Sequence, residues 1–307
     1  MHLPSLSTLA PVDSTAPAGE SISAEPVADT RIGRLLQQAG KLTADNAERV
    51  ARLQPELGLR FGEAAMRLGL VNQDDIDTVI AHQFACPAVA SATRALSPRL
   101  VAAFHPASPQ GDTLRAIRSQ LLLRWFGSGR HALAISGAGP GDASSVLAAN
   151  LALVFAQLGQ RTLLVDANLR QGVQRALFGL HGGTGRAPAG LSDVLAGRAR
   201  LDAIAHVPGF DTLALLGAGT VPPNPQELLE RPSFSALHTQ LGMQYDVVLY
   251  DIAPTSHGAE MLAVAGHAGA ALLVAQKNRT PLVALQRLAQ QLADAQVAVI
   301  GSVLVEP

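Results

Sequence analysis

Six short apolar segments, separated by stretches with helical periodicity, constrain the fold of residues 112 to 307 more than any other feature. They are HALAIS (131 to 136), RTLLVD (161 to 166), TLALLG (212 to 217), DVVLYD (246 to 251), GAALLVA (269 to 275) and VAVIGSVL (297 to 304). Helices are predicted around them at 112 to 126, 144 to 158, 191 to 196, 224 to 242, 258 to 266 and 281 to 295. Because the segments are aliphatic throughout rather than alternating, we expect strands that are buried on both faces. The prediction is an α/β fold with a mainly parallel sheet covered by helices.

The composition allows a large core and indicates no nucleic-acid-binding surface. Hydrophobic residues make up 48% of the 307 residues, charged residues 15%, and the formal net charge is -1. The single cysteine, Cys86, cannot form an internal disulfide, which fits a reducing compartment. No stretch reaches the about 18 apolar residues of a membrane span, and the first residues lack the basic and apolar regions of a secretory signal. We therefore expect a soluble, cytoplasmic protein.

Three segments are predicted before the α/β domain of residues 112 to 307. Residues 1 to 29 are rich in Pro, Ser, Ala and Thr, which is typical of a disordered lead. Residues 30 to 84 form a repeated helical module, described below. Residues 85 to 111 carry four prolines and show no periodicity, which favours a linker.

A tandem repeat with an offset of 29 residues fills the second of these segments. The block RIGRLLQQAGKLTADNAERVARLQ (31 to 54) is restated as RFGEAAMRLGLVNQDDIDTVIAHQ (60 to 83). Thr43 and Asn72 occupy equivalent places where a helix N-cap is needed. Each block therefore predicts a short helix, a glycine turn and a second helix, giving a small all-α module. On the pattern alone, the repeated glycines are helix C-caps, and the repeated Arg and Gln are surface residues.

Both blocks resemble the half-motif of the MshEN domain, the N-terminal module of type II secretion and pilus ATPases. The resemblance implies cyclic di-GMP as a ligand, because two equivalent half-sites suit a dinucleotide with two equivalent guanine halves. The binding residues that it implies are Arg31, Gly33, Gln54, Arg60, Gly62 and Gln83. Smaller or polar residues stand where the motif has larger aliphatics, which predicts looser packing; they are Lys41, Ala47, Ala51 and Ala65.

The first predicted strand of the α/β domain leads into a glycine-rich loop, GAGPGDASS (137 to 145), and then into a helix. This is the context of a P-loop, the phosphate-binding pattern G-x-x-x-x-G-K-[ST]. On that pattern, Ala138, Ala143 and Ser144 replace the two glycines and the lysine, whereas the hydroxyl residue is kept as Ser145. The remaining glycines still allow the backbone to curl around an anion at the helix N-terminus. The alternative is an ordinary glycine-rich turn.

Asp166 and Asp251 each come at the end of a predicted strand. Because the carboxyl ends of parallel strands meet at one edge of a sheet, we expect both carboxylates beside the loop. Carboxylates beside a P-loop hold Mg²⁺ and its water ligands. The alternative for each aspartate is a residue that caps the turn after its strand.

Residues 112 to 304 resemble the bacterial tyrosine kinases (BY-kinases) of exopolysaccharide chain-length control, relatives of the ParA and MinD ATPases. GPGDASSVLAANLA matches the Walker A loop of the family, LLVDANLR its second Walker motif, and VVLYDIAP its Walker B motif. The resemblance implies a P-loop NTPase-like fold, with Mg²⁺ held by Ser145, Asp166 and Asp251, the two aspartates being catalytic if the chain is active. It implies an ATP or ADP site at Gly139, Gly141, Asp142, Ala143, Ser144, Ser145 and Val146.

The family's oligomerisation motif, E-x-x-R-x-x-R, maps onto Asp112, Arg115 and Arg118. That spacing places the three side chains on one face of a helix. The resemblance therefore implies homo-oligomers, and the alternative is a solvated charged stripe.

The chain departs from the family at residues on which its chemistry depends. A P-loop lysine neutralises charge on the transferred phosphate, and the loss of one such donor costs on the order of 3 to 4 kcal/mol, about a thousandfold in rate. Further departures are Asn168 for a second Asp, Ile252 and Ala253 for Thr-Pro, and Glu260 for a later Asp. The only tyrosines, Tyr245 and Tyr250, flank or lie in a predicted buried strand rather than forming a cluster in the tail. Together these departures predict a pseudokinase.

Three functional hypotheses follow. The favoured one is a catalytically weak or inactive regulator of exopolysaccharide biosynthesis or export. It would dock on a chain-length-determinant membrane protein (polysaccharide co-polymerase) or a paralogous kinase, and so be peripheral at the inner membrane. The second is an active tyrosine autokinase or ATPase in which Lys277 or Arg279 replaces the missing lysine, with Arg170 as a further candidate cation. The third is a cyclic di-GMP receptor whose α/β domain is a scaffold.

Overall fold

The protein is described by a computed structural model that covers residues 27–73, 75, 76, 79, 95–139, 141, 143–181, 188–254 and 260–306. The chain divides into two compact units between Val79 and Ile80. The first unit contains the repeat up to Val79, and the second contains the α/β region.

Three helices lie in the described part of the first unit: α1 (Val27–Gln38), α2 (Ala44–Leu57) and α3 (Phe61–Arg67). The Thr43 hydroxyl accepts a hydrogen bond from the Asn46 N–H at the start of α2, at 3.3 Å. The Asn72 side chain accepts one from the Asp75 N–H at 2.7 Å, where a further helical turn begins. Gly40 and Gly69 follow α1 and α3 with left-handed φ angles of 67° and 65°. The predicted caps and glycine turns are confirmed.

Within the described residues of the second unit, seven strands form one sheet in the order β3-β4-β2-β5-β1-β6-β7. All neighbouring strands are parallel except β3 and β4. The predicted mainly parallel sheet is therefore confirmed. The antiparallel edge strand β3 is not predicted, because two residues are too few to show a periodic pattern. The strands are β1 (Ala132–Gly137), β2 (Thr162–Asp166), β3 (Ala205–His206), β4 (Leu213–Leu216), β5 (Val247–Asp251), β6 (Ala270–Gln276) and β7 (Ala298–Val305).

Helices cover both faces of this sheet. In β1, Leu133 and Ile135 enter one hydrophobic cluster, whereas Ala132 and Ala134 enter the other. Burial on both faces explains why β1, β2, β4, β5 and β6 are aliphatic throughout. The prediction of full burial is wrong for β7, because this strand lies at the edge of the sheet and its residues are exposed or partly buried. The described helices are α4 (Val101–Phe104), α5 (Pro109–Arg124), α6 (Ala143–Gln157), α7 (Gln174–Leu177), α8 (Leu191–Leu195), α9 (Pro225–Leu229), α10 (Pro232–Gln244), α11 (Glu260–Ala268) and α12 (Leu282–Asp294).

The helix predicted at 224 to 242 is wrong, because the segment forms two helices, α9 and α10. Pro232 begins α10 and has no N–H to continue the hydrogen bonding of α9. Arg231 before it is accordingly extended, with φ -68° and ψ 150°.

The segment predicted as a linker is more regular than expected. Residues 95 to 111 include α4 and the first turn of α5, and Leu100 and Ala102 are buried in a hydrophobic cluster of the second unit. The Ser97 N–H also donates to the Leu177 carbonyl at 2.8 Å. These residues therefore pack as part of the second unit, while residues 80 to 94 lie outside the described part of the chain.

Trp125 connects the end of α5 to the first strand. Its indole N–H donates to the carbonyl of Ala132 at 2.6 Å, and the Arg130 guanidinium lies 4.0 Å from its ring centroid. The residue is 5% exposed. This contact fixes the start of β1, the strand that leads into the glycine-rich loop. In the part of the chain that the structure describes, no helix combines the length and apolarity needed to cross a bilayer.

Candidate nucleotide site

Two carboxylates and a serine meet at the carboxyl edge of the sheet. Strands β2 and β5 are parallel neighbours, and their register places Asp166 opposite Asp251. Strand β1, which also pairs with β5, leads through the glycine-rich loop to α6. In the first turn of α6, the Ser145 hydroxyl donates to Asp251 Oδ1 at 3.0 Å. The fold thus brings together Ser145, Asp166 and Asp251, the three residues proposed from the sequence as metal ligands.

The two carboxylates are almost completely buried, since Asp166 is 1% exposed and Asp251 0% exposed. Burial, and after it the negative charge of Asp251, raises the pKa of Asp166 well above its usual range, although backbone N–H donors oppose this. Among the described residues, Asp166 Oδ1 has no hydrogen-bond partner. The arrangement therefore favours a state in which the pair carries a proton.

Gln174, the first residue of α7, completes this group, although no sequence pattern indicates it. Its side-chain amide donates to Asp251 Oδ2 at 2.7 Å and to the Ser145 carbonyl at 2.9 Å. Its backbone N–H donates to Asp166 Oδ2 at 3.0 Å. A helix of four residues gives no periodic signal. The available sequence clue is that Gln174 follows Asp166 by only eight residues and so can lie near the same sheet edge.

A Mg²⁺ ion has suitable oxygen donors here, but the Gln174 amide holds the place beside Asp251 Oδ2, so the present arrangement does not fit an ion bound there. Carboxylate and hydroxyl oxygens are the ligands that Mg²⁺ prefers. Both carboxylate oxygens of Asp251 already accept hydrogen bonds, one from Ser145 and one from the Gln174 amide. An amide N–H carries partial positive charge and cannot coordinate a cation.

The glycine-rich loop forms a small pocket together with the turn that follows β6. Ser144, at the position of the missing lysine, is 2% exposed. A Cβ added to Gly139 would lie 2.9 Å from the Thr280 hydroxyl, so the turn approaches the loop closely. No described side chain of the lining is cationic, and an anion there would depend on backbone N–H and neutral side-chain donors. The lining is Gly137, Gly139, Gly141, Ala143, Ser144, Val274, Gln276 and Thr280.

Other predicted loop residues lie around this pocket. Ala143 and Ser144 begin α6, followed by Ser145 and the partly buried Val146. Gly141 has φ 108°, a conformation that favours glycine. Asp142 lies outside the described residues.

The cations considered as substitutes for the lysine are directed elsewhere. The Lys277 ammonium pairs with Glu306 at 2.7 Å, at the end of β7. Arg170 pairs at 2.7 Å with Glu260, whose side chain is buried. Arg279 is exposed and does not line the pocket. The structure therefore does not bring Lys277 to the loop.

The proposed oligomerisation residues make contacts within the chain. On α5, Arg115 forms an ion pair with Asp112 and donates to the Pro106 carbonyl. Arg118 donates to the Val154 carbonyl on α6 at 2.8 Å. Burial, and after it the charge of Arg115, lowers the pKa of Arg118. Arg118 is thus a packing residue in this unit, and the role of the three residues in oligomerisation stays a prediction.

In the first unit, Gly33 and Gly62 are buried where helices pack. A Cβ at Gly33 would lie 2.9 Å from the Phe61 ring, and one at Gly62 would lie 3.1 Å from Ile76. Arg60 is exposed at the start of α3, and Gln54 is partly buried in α2. The side chain of Arg31 and the whole of Gln83 lie outside the described residues. The two glycines therefore have a packing role, whereas cyclic di-GMP binding stays a prediction.

Neither tyrosine is exposed as a phosphate acceptor would need to be. Tyr250 is 1% exposed in β5, and its hydroxyl lies 2.9 Å from His238 Nδ1. Tyr245 is partly buried after α10, and this burial raises its pKa. Ile252 and Ala253 follow β5 as buried residues.

Comparisons with known proteins identify clear relatives, although no protein-family model matches the chain. The chain is 36% identical over 214 residues to EpsB of Ralstonia solanacearum, a candidate tyrosine-protein kinase, covering 69% of this chain and 28% of that protein. The chain thus spans about a quarter of the length of the curated relatives it matches.

Solved kinase domains share the fold. The kinase domain of the Escherichia coli tyrosine kinase ETK is 30% identical, with a TM-score of 0.62, and the match covers 67% of this chain and 79% of that domain. The chimeric protein CapA2B2 is 25% identical, with a TM-score of 0.63, and the match covers 74% and 97% of the two chains. The fold is therefore P-loop NTPase-like, as expected.

Proposed function

The chain belongs to the bacterial tyrosine kinase (BY-kinase) family, and on this premise we propose that it is a kinase-like regulator with little or no catalytic activity. It regulates exopolysaccharide biosynthesis or export from the cytoplasmic side of the inner membrane. Its partner there is a chain-length-determinant membrane protein (polysaccharide co-polymerase) or a paralogous, intact kinase. The nucleotide site then serves assembly rather than turnover.

One observation carries this proposal: the described lining of the loop pocket contains no cationic side chain. In phosphoryl transfer, negative charge accumulates on the transferred group, and a fixed cation at the loop stabilises it. Ser144 offers a neutral hydroxyl instead, and Lys277 is paired with Glu306. Backbone N–H groups at the start of α6 can still bind a phosphate. The site therefore supports binding better than catalysis.

The test restores the loop with the double variant Ala143→Gly, Ser144→Lys and measures phosphate release from ATP. We expect background hydrolysis by the wild type and an increase of up to about a thousandfold in the restored variant. The matched control, Ala143→Gly, Ser144→Ala, changes the same positions without adding charge and should stay at background. If the wild type hydrolyses ATP as fast as the restored variant, the loop does not need a lysine for catalysis and the proposal is wrong.

Residual hydrolysis would still have to be assigned to a residue. If Lys277 or Arg279 replaces the lysine, then Lys277→Ala or Arg279→Ala abolishes the wild-type activity. If the proposal is correct, neither substitution changes the background rate. Isothermal titration with ADP then measures whether the loop binds nucleotide without cleaving it.

We also propose that the first unit binds cyclic di-GMP. The similarity of the two repeat blocks favours this, because Gly33 and Gly62 are both buried and Gly40 and Gly69 have φ angles within 2° of each other (67° and 65°). Two equivalent half-sites suit a ligand with two equivalent halves. The exposed Arg60 supplies a guanidinium that can stack on a guanine or bind a phosphate.

Equilibrium binding of labelled cyclic di-GMP tests this second proposal. We expect Arg31→Ala and Arg60→Ala each to weaken binding at least about tenfold, since each removes one charge-assisted contact. Arg52→Ala is a matched control, because Arg52 is exposed on α2 and pairs with Glu48. Affinities that are the same in all four proteins would remove the proposal.

A further inference from the structure

We propose that the side-chain amide of Gln174 takes the place of a divalent cation between Ser145 and Asp251, so that this part of the site is built to stay free of metal. The inference concerns the metal subsite alone. It goes beyond the proposed function, and it is tested by metal binding rather than by ATP hydrolysis.

The amide occupies the position through both of its hydrogens. One N–H group points to Asp251 Oδ2 at 2.7 Å, and the nitrogen also donates to the Ser145 carbonyl at 2.9 Å. The remaining oxygen of the Asp251 carboxylate accepts the Ser145 hydroxyl. The partial positive charge of the amide hydrogens therefore meets the carboxylate where a cation would otherwise bind.

Gln174 is held in this position by its surroundings. It is 0% exposed, and its backbone N–H donates to Asp166 Oδ2 at 3.0 Å. At the other end of α7, Leu177 is buried in the hydrophobic core. A cation can take the place of the amide at Asp251 Oδ2 only if the amide leaves, which breaks two buried hydrogen bonds and leaves polar groups unpaired. Metal binding is thus opposed by the stability of α7 itself.

Within this group of residues, two buried oxygens have no hydrogen-bond donor among the described residues, Asp166 Oδ1 and Gln174 Oε1. They suggest the opposite role for the glutamine, in which its oxygen is a metal ligand. The two roles predict opposite effects of removing the side chain. If the amide blocks the cation, Gln174→Ala strengthens metal binding; if the oxygen is a ligand, the same change weakens it.

The experiment titrates the EDTA-treated 307-residue chain with Mn²⁺, with and without ADP, and measures free Mn²⁺ by electron paramagnetic resonance. We expect wild-type binding no tighter than about millimolar and at least about tenfold tighter binding by Gln174→Ala. Adding Asp251→Asn to Gln174→Ala should abolish the gain. The matched control is Gln157→Ala, because the Gln157 amide also donates to a carbonyl, that of Ala102 at 2.8 Å. It should behave as the wild type.

A second variant covers the case in which Gln174→Ala does not fold. Gln174→Glu places a third carboxylate beside Asp166 and Asp251, and we expect Mn²⁺ to raise its melting temperature by several degrees while leaving the wild type unchanged. The inference is overturned if the wild type binds Mn²⁺ as tightly as Gln174→Ala, or if Gln174→Ala binds more weakly. Neither result depends on ATP hydrolysis, so failure here is separate from failure of the proposed function.

Discussion

The side chain of Asp166 shows how a single residue couples the site to the stability of the fold. It ends β2 beside Asp251, is 1% exposed, and leaves one oxygen without a described partner. Burial and the neighbouring charge raise its pKa, so the folded protein holds a proton on this carboxyl more firmly than the unfolded chain does. The site residue is therefore a source of instability whenever it must ionise.

We predict that Asp166→Asn makes the protein more stable at neutral and alkaline pH. The pKa of Asp166 is higher in the folded state than in the unfolded chain. Its contribution to the free energy of unfolding is therefore fully present below the unfolded pKa of about 3.9, and it is lost as the pH rises through the folded pKa. The loss is about 1.4 kcal/mol for each pKa unit between the two states. Asparagine does not ionise and keeps an oxygen for the backbone N–H of Gln174.

Urea unfolding from about pH 5 to about pH 8 in EDTA measures this effect as the free energy of unfolding. The difference between Asp166→Asn and the wild type should grow with pH. A difference that is constant over this range would mean that Asp166 is ionised throughout, contrary to the structure.

Two helical glycines of the second unit differ in why alanine is absent from their positions. At one position only the helix propensity matters, and at the other a neighbouring backbone leaves no room for a side chain. Gly242 lies in α10, and a Cβ added there would meet nothing within 4 Å. Gly111 lies in the first turn of α5, and a Cβ there would overlap the carbonyl oxygen of Pro106. The same substitution should therefore have opposite effects at the two positions.

We predict that Gly242→Ala stabilises the protein by about 0.5 to 1 kcal/mol, because alanine loses less conformational entropy in a helix. Gly111→Ala should destabilise it by about 1 to 3 kcal/mol, because the carbonyl must move to admit the methyl group. Thermal unfolding by calorimetry gives both signs. Stabilisation by both variants would mean that the approach of Pro106 to α5 is not as close as described.

Elements with a strong internal pattern could be predicted from the sequence, and elements that depend on distant contacts could not. The aliphatic strands and α6 can be predicted because nearly continuous apolar runs of strand or helix length are themselves a signal. The exposure of β7 does not follow from its sequence, because it depends on the position of this strand at the edge of the sheet. Strand β3 and helix α7 are short and owe their structure to pairing with β4 and with the carboxylates. Pro232 is a helix-breaking signal in the sequence. The apolar pattern on both sides of it nevertheless favours a single helix, so the break is not predicted.

The candidate site divides in the same way. Ser145, Asp166 and Asp251 were found because motif order and strand ends place them at one edge of the sheet. Gln174 was not found, because its amide contact joins residues 77 positions apart and follows no local rule. The direction of the Lys277 side chain could not be predicted from the sequence either, because it depends on the ion pair with Glu306.

For the whole molecule, the buried Asp166 and the partly buried His238 impose opposite limits on the pH range of stability. Asp166 lowers stability as the pH rises, and His238 lowers it as the pH falls. Burial, and after it the nearby His267, lowers the pKa of His238, which lies in α10 against Tyr250. As the pH falls below the unfolded value of about 6.5, the unfolded chain takes up a proton that the folded protein resists.

We predict that His238→Asn reduces the loss of stability between about pH 6.5 and about pH 5. Asparagine can keep a polar contact with the Tyr250 hydroxyl but does not take up the proton. The free energy of unfolding, measured by urea at several pH values, checks this. His206→Asn, at an exposed residue of β3, is the control. If the free energy of unfolding falls as steeply with decreasing pH in His238→Asn as in the wild type, groups other than His238 cause the loss of stability.

The contact between Trp125 and β1 gives the intact chain a built-in optical reporter. The sequence has one tryptophan and two tyrosines, and all three lie in the second unit. Near-ultraviolet emission therefore follows only the unit that carries the glycine-rich loop and is blind to melting of the repeat. Because the indole is shielded and bonded to the backbone of Ala132, a red shift of its emission will signal the moment at which the first strand separates from α5.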